Sequence, residues 1–272
     1  MITETPTDTT RIDAVVARLK ATPGVRQSLP ELSVLRQSGP FQSVNHFFAS
    51  SFEYFRHLLH YTNITPESRV MDFGCGLGRM AIPFSVFLDK ERGFYCGLDT
   101  DGTVIERDKA MFAGRPAIEF RHVDVFNKHY NPTGRPAAEA LAKERFDAPF
   151  DVAFLFSVFT HILSADLDTI VGFLAANLAP KGEIFSTWFL IDDATQAAID
   201  AGKASRRFAT RHGTARIDLP ENPEAAVAYP LEEALAAFRR AGFTDVRPHF
   251  GTWRGKDGVD SWLWQDGILA RR

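Results

Sequence analysis

Residues 70–79 read Val-Met-Asp-Phe-Gly-Cys-Gly-Leu-Gly-Arg, and this stretch decides the fold. An apolar run passes directly into three closely spaced glycines, which is typical of a strand that turns into a helix. Glycine lets the backbone turn tightly and approach a ligand closely, and the N-terminus of the following helix offers free amide donors. The stretch therefore predicts a loop that binds a nucleotide-like ligand.

An acidic residue ends the next predicted strand. Asp99 lies 21 residues after Gly78, about where folds of this kind place the carboxylate that accepts hydrogen bonds from ribose hydroxyls. The glycine spacing, Gly74-x-Gly76-x-Gly78, departs from the G-x-G-x-x-G fingerprint of dinucleotide-binding folds because the third glycine comes one residue early. We therefore expect a nucleotide-like ligand that is not a nicotinamide dinucleotide.

The loop resembles the first motif of the class I S-adenosylmethionine-dependent methyltransferases, in which an acidic residue and one further residue precede G-x-G-x-G. The resemblance covers residues 65–190, and more loosely the end of the chain, and is closest in kind to small-molecule and sugar O-methyltransferases. It implies contacts of the glycine loop with the methionine part of the cofactor, of the second-strand acid with the ribose, and of an acid after the third strand with the adenine amine. By position these residues are Gly74, Gly76 and Gly78, then Asp99, then Asp124.

The same resemblance implies further cofactor contacts. Asp72 matches the acid associated with the amino group of methionine, directly or through water. Val125 and Phe126 follow Asp124 on the adenine side, and Ser157 opens the loop after the fourth predicted strand. Two alternatives stay open: Asp124 only caps the loop that follows its strand, and Phe126 is one of the core residues in a chain with 24 phenylalanines.

Short apolar runs alternate with helical stretches from Arg69 onward, which is the pattern of βαβ units. We expect an α/β fold with a doubly wound, mostly parallel, seven-stranded Rossmann-like sheet. The predicted strands are 69–73, 94–98, 118–122, 151–156, 182–190, 244–249 and 260–269, the last two as an antiparallel hairpin. The predicted helices are 8–21, 44–61, 78–88, 102–113, 165–178 and 230–241.

The domain organisation follows from these elements. Residues 1–64 are predicted to form an N-terminal helical cap and residues 65–272 the methyltransferase domain. Two connections, 127–149 and 192–229, are long for such a fold, and long connections are often functional. The second is predicted to be a lid-like insert after the fifth strand.

Composition excludes several classes of partner. The net charge is -3, with 31 basic and 34 acidic side chains, so no overall field attracts nucleic acid. The N-terminus is polar and acidic, and no stretch approaches the roughly 18 apolar residues of a membrane span. The two cysteines, Cys75 and Cys96, are predicted to be buried thiols. We expect a cytoplasmic protein with no membrane or nucleic-acid partner, and a homodimer is an open alternative to the monomer.

The loop after the fourth predicted strand is expected to border cofactor and acceptor, because ligands of open α/β sheets lie beyond the carboxyl ends of the strands. Residues 157–161 read Ser-Val-Phe-Thr-His, a run that resembles small-molecule and sugar methyltransferases. A histidine, with an ordinary pKa of about 6.5, can remove the proton of a hydroxyl acceptor near neutral pH. His161 is therefore the predicted catalytic base. The alternative is a histidine that only hydrogen-bonds the loop backbone.

Paired carboxylates follow the fifth predicted strand. Asp192 and Asp193 are placed to hold Mg²⁺ together with oxygens of an acceptor, since hard cations choose oxygen ligands. The competing interpretation is that they open a helix, where aspartate is a common N-cap.

Three segments are candidates for the acceptor site. Arg207 and Arg211 belong to a basic cluster in the insert that is predicted to pair with an acidic group of the acceptor, or else to form a solvated face. Tyr54 lies on the aromatic helix at 44–61. Trp253, in Gly-x-Trp-x-Gly, and the later Gln-Asp pair resemble the ending of sugar- and glycan-modifying methyltransferases; a tryptophan face serves a sugar ring or a core equally well.

These features favour transfer of a methyl group from S-adenosylmethionine to a hydroxyl of a small polar acceptor, with a sugar or sugar acid preferred. One alternative is an N- or O-methyltransferase of another natural product. Another, from a different class, is a catalytically silent module that binds the cofactor and interacts with a partner. The predicted base and the insert favour the enzyme.

Overall fold

The structure, a computed structural model, describes residues 9–27, 29–37, 41–128, 130–255, 259 and 263–272. Its contacts divide the chain into two units, Met1–His122 and Val123–Arg272. Within the described ranges, no helix has both the length and the apolar content that crossing a bilayer requires.

The first unit carries the N-terminal helices and three parallel strands. Its described helices are α1 (Thr9–Lys20), α2 (Leu32–Gln37), α3 (Val44–Tyr61), α4 (Ala81–Phe87) and α5 (Gly102–Met111). Its strands are β1 (Arg69–Phe73), β2 (Phe94–Asp99) and β3 (Ile118–His122), with β2 paired to both others. The predicted strands 69–73 and 118–122 agree with β1 and β3 to the residue. Cys75 and Cys96 are buried thiols, as predicted.

Helix α3 shows how the N-terminal helices join this unit. Its N-terminus is capped by Ser43, whose side-chain oxygen accepts a hydrogen bond from the N–H of His46 at 3.1 Å. On its buried face, Phe55 meets Phe84 of α4 edge-on, with ring centroids 5.1 Å apart. Helix α3 therefore packs against α4 within the first unit. The predicted organisation, a helical cap at residues 1–64 and a methyltransferase domain at 65–272, stays a prediction.

The second unit contains the helices and strands that follow β3. Its described helices are α6 (Ala137–Leu141), α7 (Ser164–Ala176), α8 (Asp193–Asp200) and α9 (Leu231–Arg240). Its strands are β4 (Phe150–Leu155), β5 (Leu178–Trp188), β6 (Leu190–Ile191), β7 (Thr210–His212), β8 (Ala215–Ile217), β9 (Val227–Pro230), β10 (Asp245–His249) and β11 (Asp266–Arg271). The predicted final strand, 260–269, overlaps β11; residues 263–265 precede the strand in the structure, and residues 260–262 lie outside the described ranges.

Seven of the described strands form one mostly parallel sheet, in the order β10-β11-β5-β4-β1-β2-β3. Strand β4 pairs in parallel with β5, whereas β11 pairs antiparallel with both β5 and β10. Strands β1 and β4 are buried along nearly their whole length, as parallel strands covered by helices require. The predicted Rossmann-like sheet and its antiparallel terminal hairpin are confirmed.

The predicted insert at 192–229 contains regular structure of its own. A small sheet runs in the order β6-β9-β8-β7, with β7 and β8 forming an antiparallel hairpin. Phe189, Phe208 and Trp253 pack together in the core of this region. Strands of three residues are too short to show a period in the sequence, which is why they were not predicted.

Candidate functional site

The glycine loop between β1 and α4 has the backbone that its sequence implied. Gly74, Gly76 and Gly78 have φ values of 81°, 52° and 64°, in the region that favours glycine. The N–H groups of Gly74 and Cys75 donate to the carbonyl of Leu98 at 2.7 and 3.0 Å, which ties the loop to β2. An ideal Cβ at Gly76 would have no described atom within 4 Å. The loop is therefore fixed in place and has an open side on which a ligand can lie.

Asp99, at the end of β2, is held by two backbone amides. Its Oδ2 accepts from the N–H of Gly76 at 2.8 Å, and its Oδ1 accepts from the N–H of Asp101 at 2.9 Å. Burial raises the pKa of Asp99, and these backbone hydrogen bonds oppose the rise. A carboxylate oxygen can accept more than one hydrogen bond, so the oriented group suits a pair of hydroxyl donors.

Asp72 is directed into the interior of the first unit. It is 2% exposed, and its Oδ2 accepts from the hydroxyl of Tyr95 at 2.6 Å, which joins β1 to β2. Burial raises the pKa of Asp72 to about 7, against the opposing effects of Tyr95 and Arg79. The geometry gives Asp72 a structural role, and its contact with a cofactor amino group stays a prediction.

Asp108 of α5 lies beside the loop and was not singled out from the sequence. It is fully buried, and neither carboxylate oxygen has a hydrogen-bond partner among the described residues. An ideal Cβ at Gly78 would lie 3.2 Å from its carboxyl carbon, so a side chain at this position would press against α5. Burial, with the charges of Asp99 and Asp72, raises the pKa of Asp108 to about 9. The available signal was its place one turn after Val104 and Ile105, on the apolar face of α5.

Tyr54, predicted to line the acceptor site, contacts the residue that follows the loop. The guanidinium of Arg79 lies over the Tyr54 ring, 4.2 Å from its centroid. The ring of His57 meets Tyr54 edge-on at 5.8 Å, so the aromatic side chains of α3 also pack on one another. Tyr54 is partly exposed, and its contact with an acceptor stays a prediction.

The loop after β3, in the second unit, begins with the predicted adenine residues. Asp124 accepts from Asn131 Nδ2 at 3.0 Å and from Arg135 Nε at 3.2 Å, so its carboxylate closes the loop in the way the capping alternative describes. Val125 and Arg135 form an isolated β-bridge, a backbone pairing within the same loop. Phe126 is 50% exposed, which contradicts the core alternative and leaves its ring able to stack on a base.

Ser157 follows β4 in an unusual backbone conformation. Its φ of 62° lies in the left-handed region, where a non-glycine residue is strained, and such strain clusters at functional sites. Its N–H donates to Thr187 Oγ1 at 2.7 Å, and its hydroxyl donates to Gln265 Oε1 at 3.0 Å. Side chains of β5 and of the tail thus hold this turn. The predicted cofactor contact of Ser157 remains a prediction.

His161 ends a short 3-10 helix, Phe159–His161, and is half-buried. Its Nδ1 lies 2.8 Å from the backbone carbonyl oxygen of Glu224. A carbonyl oxygen can only accept, so Nδ1 carries the proton and Nε2 is the basic nitrogen of the neutral ring. The sequence left open that His161 only hydrogen-bonds the loop backbone, and such a hydrogen bond is present. It places the proton of the neutral ring on Nδ1, so that Nε2 carries the lone pair with which a base takes a proton.

Asp192 is engaged with protein groups, which contradicts the predicted magnesium site. It caps α8, accepting from the N–H of Thr195 at 2.7 Å, and it forms an ion pair with the buried Arg254. Burial by itself would raise the pKa of Asp192, but hydrogen bonds from Arg254 and Thr195 hold it below its usual value. Asp193 is exposed in the first turn of α8. The described part of the chain contains no group of three or more His, Cys, Asp or Glu residues placed to hold a metal.

Trp253 is a core residue, so the prediction that it supports an acceptor was wrong. It is 1% exposed, and its Nε1 donates to Asp266 Oδ2 at 2.6 Å. The buried Asp266 also accepts from the N–H groups of Leu190 and Gly251, at 2.7 and 2.8 Å. Trp264, directly before Gln265 and Asp266, is 49% exposed and has an accessible face, and Trp262 lies outside the described residues.

The basic cluster of the insert divides into two kinds of residue. Arg206 forms an ion pair with Asp218 at 2.8 Å and lies over the Phe189 ring, 5.4 Å from its centroid, so it stabilises the insert. Arg207 and Arg211 are exposed. Their exposure agrees with a solvated face and with the predicted acceptor role alike, and that role stays a prediction.

Comparison with known proteins identifies the class to which this arrangement belongs. A family model described as "Methyltransferase domain" matches residues 45–247, which is most of the chain. The chain therefore belongs to this methyltransferase family, as the resemblance of the glycine loop predicted.

Two solved structures illustrate the likeness. A candidate O-methyltransferase from Nostoc punctiforme is 16% identical with a TM-score of 0.55, and the match covers 98% of this chain and 68% of that one. An amino pentose methyltransferase from Micromonospora echinaspora, solved with S-adenosylmethionine bound, is 15% identical with a TM-score of 0.52, over 89% of this chain and 97% of that one. At these identities the likeness concerns the fold, and it confirms the class I methyltransferase architecture.

Proposed function

We propose that the chain is an S-adenosylmethionine-dependent methyltransferase that acts on a hydroxyl of a small polar acceptor, with a sugar or sugar acid favoured. The observation that carries the proposal is the hydrogen bond between His161 Nδ1 and the Glu224 carbonyl at 2.8 Å. It leaves Nε2 as a base, on the turn that follows a central strand of a methyltransferase fold.

In each unit, residues are present that suit one part of the cofactor. Gly76 has an open side, Asp99 is an oriented acceptor for ribose hydroxyls, and the half-exposed Phe126 offers a ring to adenine. When bound, S-adenosylmethionine would supply the methyl group from its sulfonium sulfur. The bond between the methyl carbon and sulfur would break as the bond between that carbon and the acceptor oxygen forms.

The chain's own contribution to the chemistry is alignment and proton removal. His161 Nε2 takes the proton of the acceptor hydroxyl as that oxygen becomes bonded to carbon, and the ring becomes an imidazolium. The Glu224 carbonyl, already bonded to Nδ1–H, stabilises the positive ring because a charged donor strengthens the hydrogen bond.

Three features support the preference for a sugar or sugar acid. The amino pentose methyltransferase named above has the same fold. Arg207 and Arg211 are exposed on the insert and suit an acidic group, and Trp264 has an accessible indole face that suits a sugar ring.

A screen of radiolabelled S-adenosylmethionine against pooled sugars, sugar acids and amines tests the proposal. The expected result is labelled product from a sugar or sugar-acid pool, with the signal lost in His161→Gln. Label transferred only to amines would overturn the hydroxyl acceptor. Tight calorimetric binding of S-adenosylmethionine without transfer to any pool would favour the silent binding module instead.

A further inference from the structure

We propose that Glu224 is a positioning residue that links the loop after β3 to His161, so that occupancy of the adenine side of the cofactor site sets the orientation of the base. The inference rests on the proposed function, in which that loop contacts adenine and His161 removes the proton. Glu224 itself lies in the insert and was not singled out from the sequence.

The side chain of Glu224 holds the loop after β3. Its Oε2 accepts from Asn127 Nδ2 at 3.1 Å and from the N–H of Lys128 at 3.2 Å. These donors are 97 and 96 residues away in sequence, so the contact is a tertiary one. Asn127 directly follows Phe126, whose exposed ring is the proposed adenine contact.

The backbone of Glu224 holds the base. Its carbonyl oxygen is the acceptor for His161 Nδ1, 63 residues away in sequence. Glu224 therefore contacts the loop after β3 through its carboxylate and His161 through its carbonyl. Because only a few covalent bonds separate these two groups, a movement of the loop after β3 can move the carbonyl that holds His161.

The short 3-10 helix that carries Glu224 makes this link stiff. It spans Pro223–Ala225, and the proline ring fixes φ at its start. The N–H of Ala225 donates to the Asn222 carbonyl at 3.0 Å, and the N–H of Asp218 donates to the Ala226 carbonyl at 3.2 Å, which closes the segment. The backbone that carries the Glu224 carbonyl is thus held by hydrogen bonds on both sides.

The loop after β3 is equally constrained. Asn127 and Asn131 exchange backbone hydrogen bonds of 3.1 and 3.0 Å, and Asp124 is bonded to Asn131 and Arg135. A ligand that moves or immobilises Phe126 therefore acts on Asn127 directly, and through Asn127 on Glu224.

A purely structural carboxylate would also hold this loop, so the test needs a readout at His161. Binding of S-adenosylhomocysteine to the full chain is followed by nuclear magnetic resonance of ¹⁵N-labelled histidine, with the His161 signals assigned by their loss in His161→Gln. We expect the ligand to shift the His161 ring signals in the wild type. The shift should fall at least two-fold in Glu224→Ala and persist in Glu224→Gln, whose amide oxygen still accepts from Asn127 and Lys128.

Kinetics supply the second readout. Glu224→Ala should lower kcat about ten-fold and alter the pH profile of kcat, with a smaller change in the KM for S-adenosylmethionine, because the base is misplaced more than the cofactor. Glu221→Ala removes an exposed glutamate three residues away and should match the wild type. If Glu224→Ala does not fold, Asn127→Ala weakens the same link from the loop side and should reduce the His161 shift.

The outcomes separate the two proposals. A wild-type chain that binds S-adenosylhomocysteine with no His161 response overturns the link and leaves the proposed function standing. An equal response and an equal kcat in Glu224→Ala also overturn it. Absence of any S-adenosylhomocysteine binding overturns the proposed function itself. A His161 response that depends on Glu224 supports the link even where no acceptor is methylated.

Discussion

The N–H of Gly76 donates to Asp99 Oδ2 at 2.8 Å, so the carboxylate proposed to bind ribose also holds the middle of the glycine loop. Its other oxygen, Oδ1, accepts a hydrogen bond from the N–H of Asp101, the N-cap residue of α5. Ligand recognition and loop geometry therefore depend on one side chain, and substitutions at Asp99 change both.

Asp99→Ala should weaken binding of S-adenosylhomocysteine by about 1–3 kcal/mol, because ribose hydroxyls lose a charged acceptor and the loop loses a tether. Asp99→Asn should cost less, since its single amide oxygen can still accept. Isothermal calorimetry on both folded variants measures the difference. An unchanged dissociation constant in Asp99→Ala would remove Asp99 from the cofactor site.

His161→Gln should lower turnover by about 10²–10⁴-fold and leave cofactor affinity nearly unchanged, because a general base acts in the transition state. Steady-state kinetics across pH and calorimetry with S-adenosylhomocysteine give the two quantities. Full activity at every pH would make His161 structural. A parallel loss of cofactor affinity would show that the turn itself depends on the histidine.

Asp108→Asn should stabilise the protein increasingly as pH rises. The folded-state pKa of Asp108 is raised to about 9 by burial, well above its usual value near 4, so the stability contributed by the protonated carboxyl is complete below pH 4 and is lost progressively up to pH 9. The gain in the free energy of unfolding over the wild type should grow by up to about 1.4 kcal/mol per pH unit between pH 5 and 8.

Urea unfolding at several pH values measures this difference. Asp147→Asn, which removes an exposed carboxylate, controls for the change in net charge. A difference between Asp108→Asn and the wild type that stays constant with pH would show that Asp108 is ionised in the folded protein or is solvated there.

Trp253 and Trp264 should respond differently to substitution. Trp253→Phe leaves the buried Asp266 without one donor and should cost about 1–3 kcal/mol of stability, seen as a lower melting temperature. Trp264→Ala removes an edge-on contact with Phe189 and should cost less stability than Trp253→Phe, about 0.5–1 kcal/mol, and should raise the KM for a sugar acceptor about five-fold, as expected for loss of about 1 kcal/mol of ring stacking. The reverse pattern would contradict both assignments.

The fold could be predicted where the sequence signal is local. Strands β1 and β3 can be located to the residue for different reasons: β1 is mostly apolar and runs into the glycine loop, and in β3 Ile118 and Phe120 alternate with polar residues. Asp99 could be identified because its distance from the glycine loop is fixed by one βαβ unit. The three-residue strands β7 and β8 carry no period and could not be seen.

Side-chain partners were the part that sequence could not supply. Asp192 was a candidate metal ligand until the structure placed Arg254, 62 residues later, against it. Trp253 fits a platform or a core equally well, and only its contact with Asp266 decides between them. Nothing in the sequence around Glu224 distinguishes it from other glutamates, because its contacts with Asn127 and His161 form only in the folded chain.

Asp266 accepts hydrogen bonds from Trp253, Leu190 and Gly251, and all three donors lie inside the protein. The Gly-x-Trp-x-Gly and Gln-Asp sequences thus describe how the last strand is fastened to its neighbours. In this chain the ending therefore serves assembly of the fold, and its residues at Trp253 and Asp266 say nothing about the acceptor. A search for the substrate should therefore compare the exposed residues, those of the insert and Trp264, and give little weight to agreement at the buried Trp253 and Asp266.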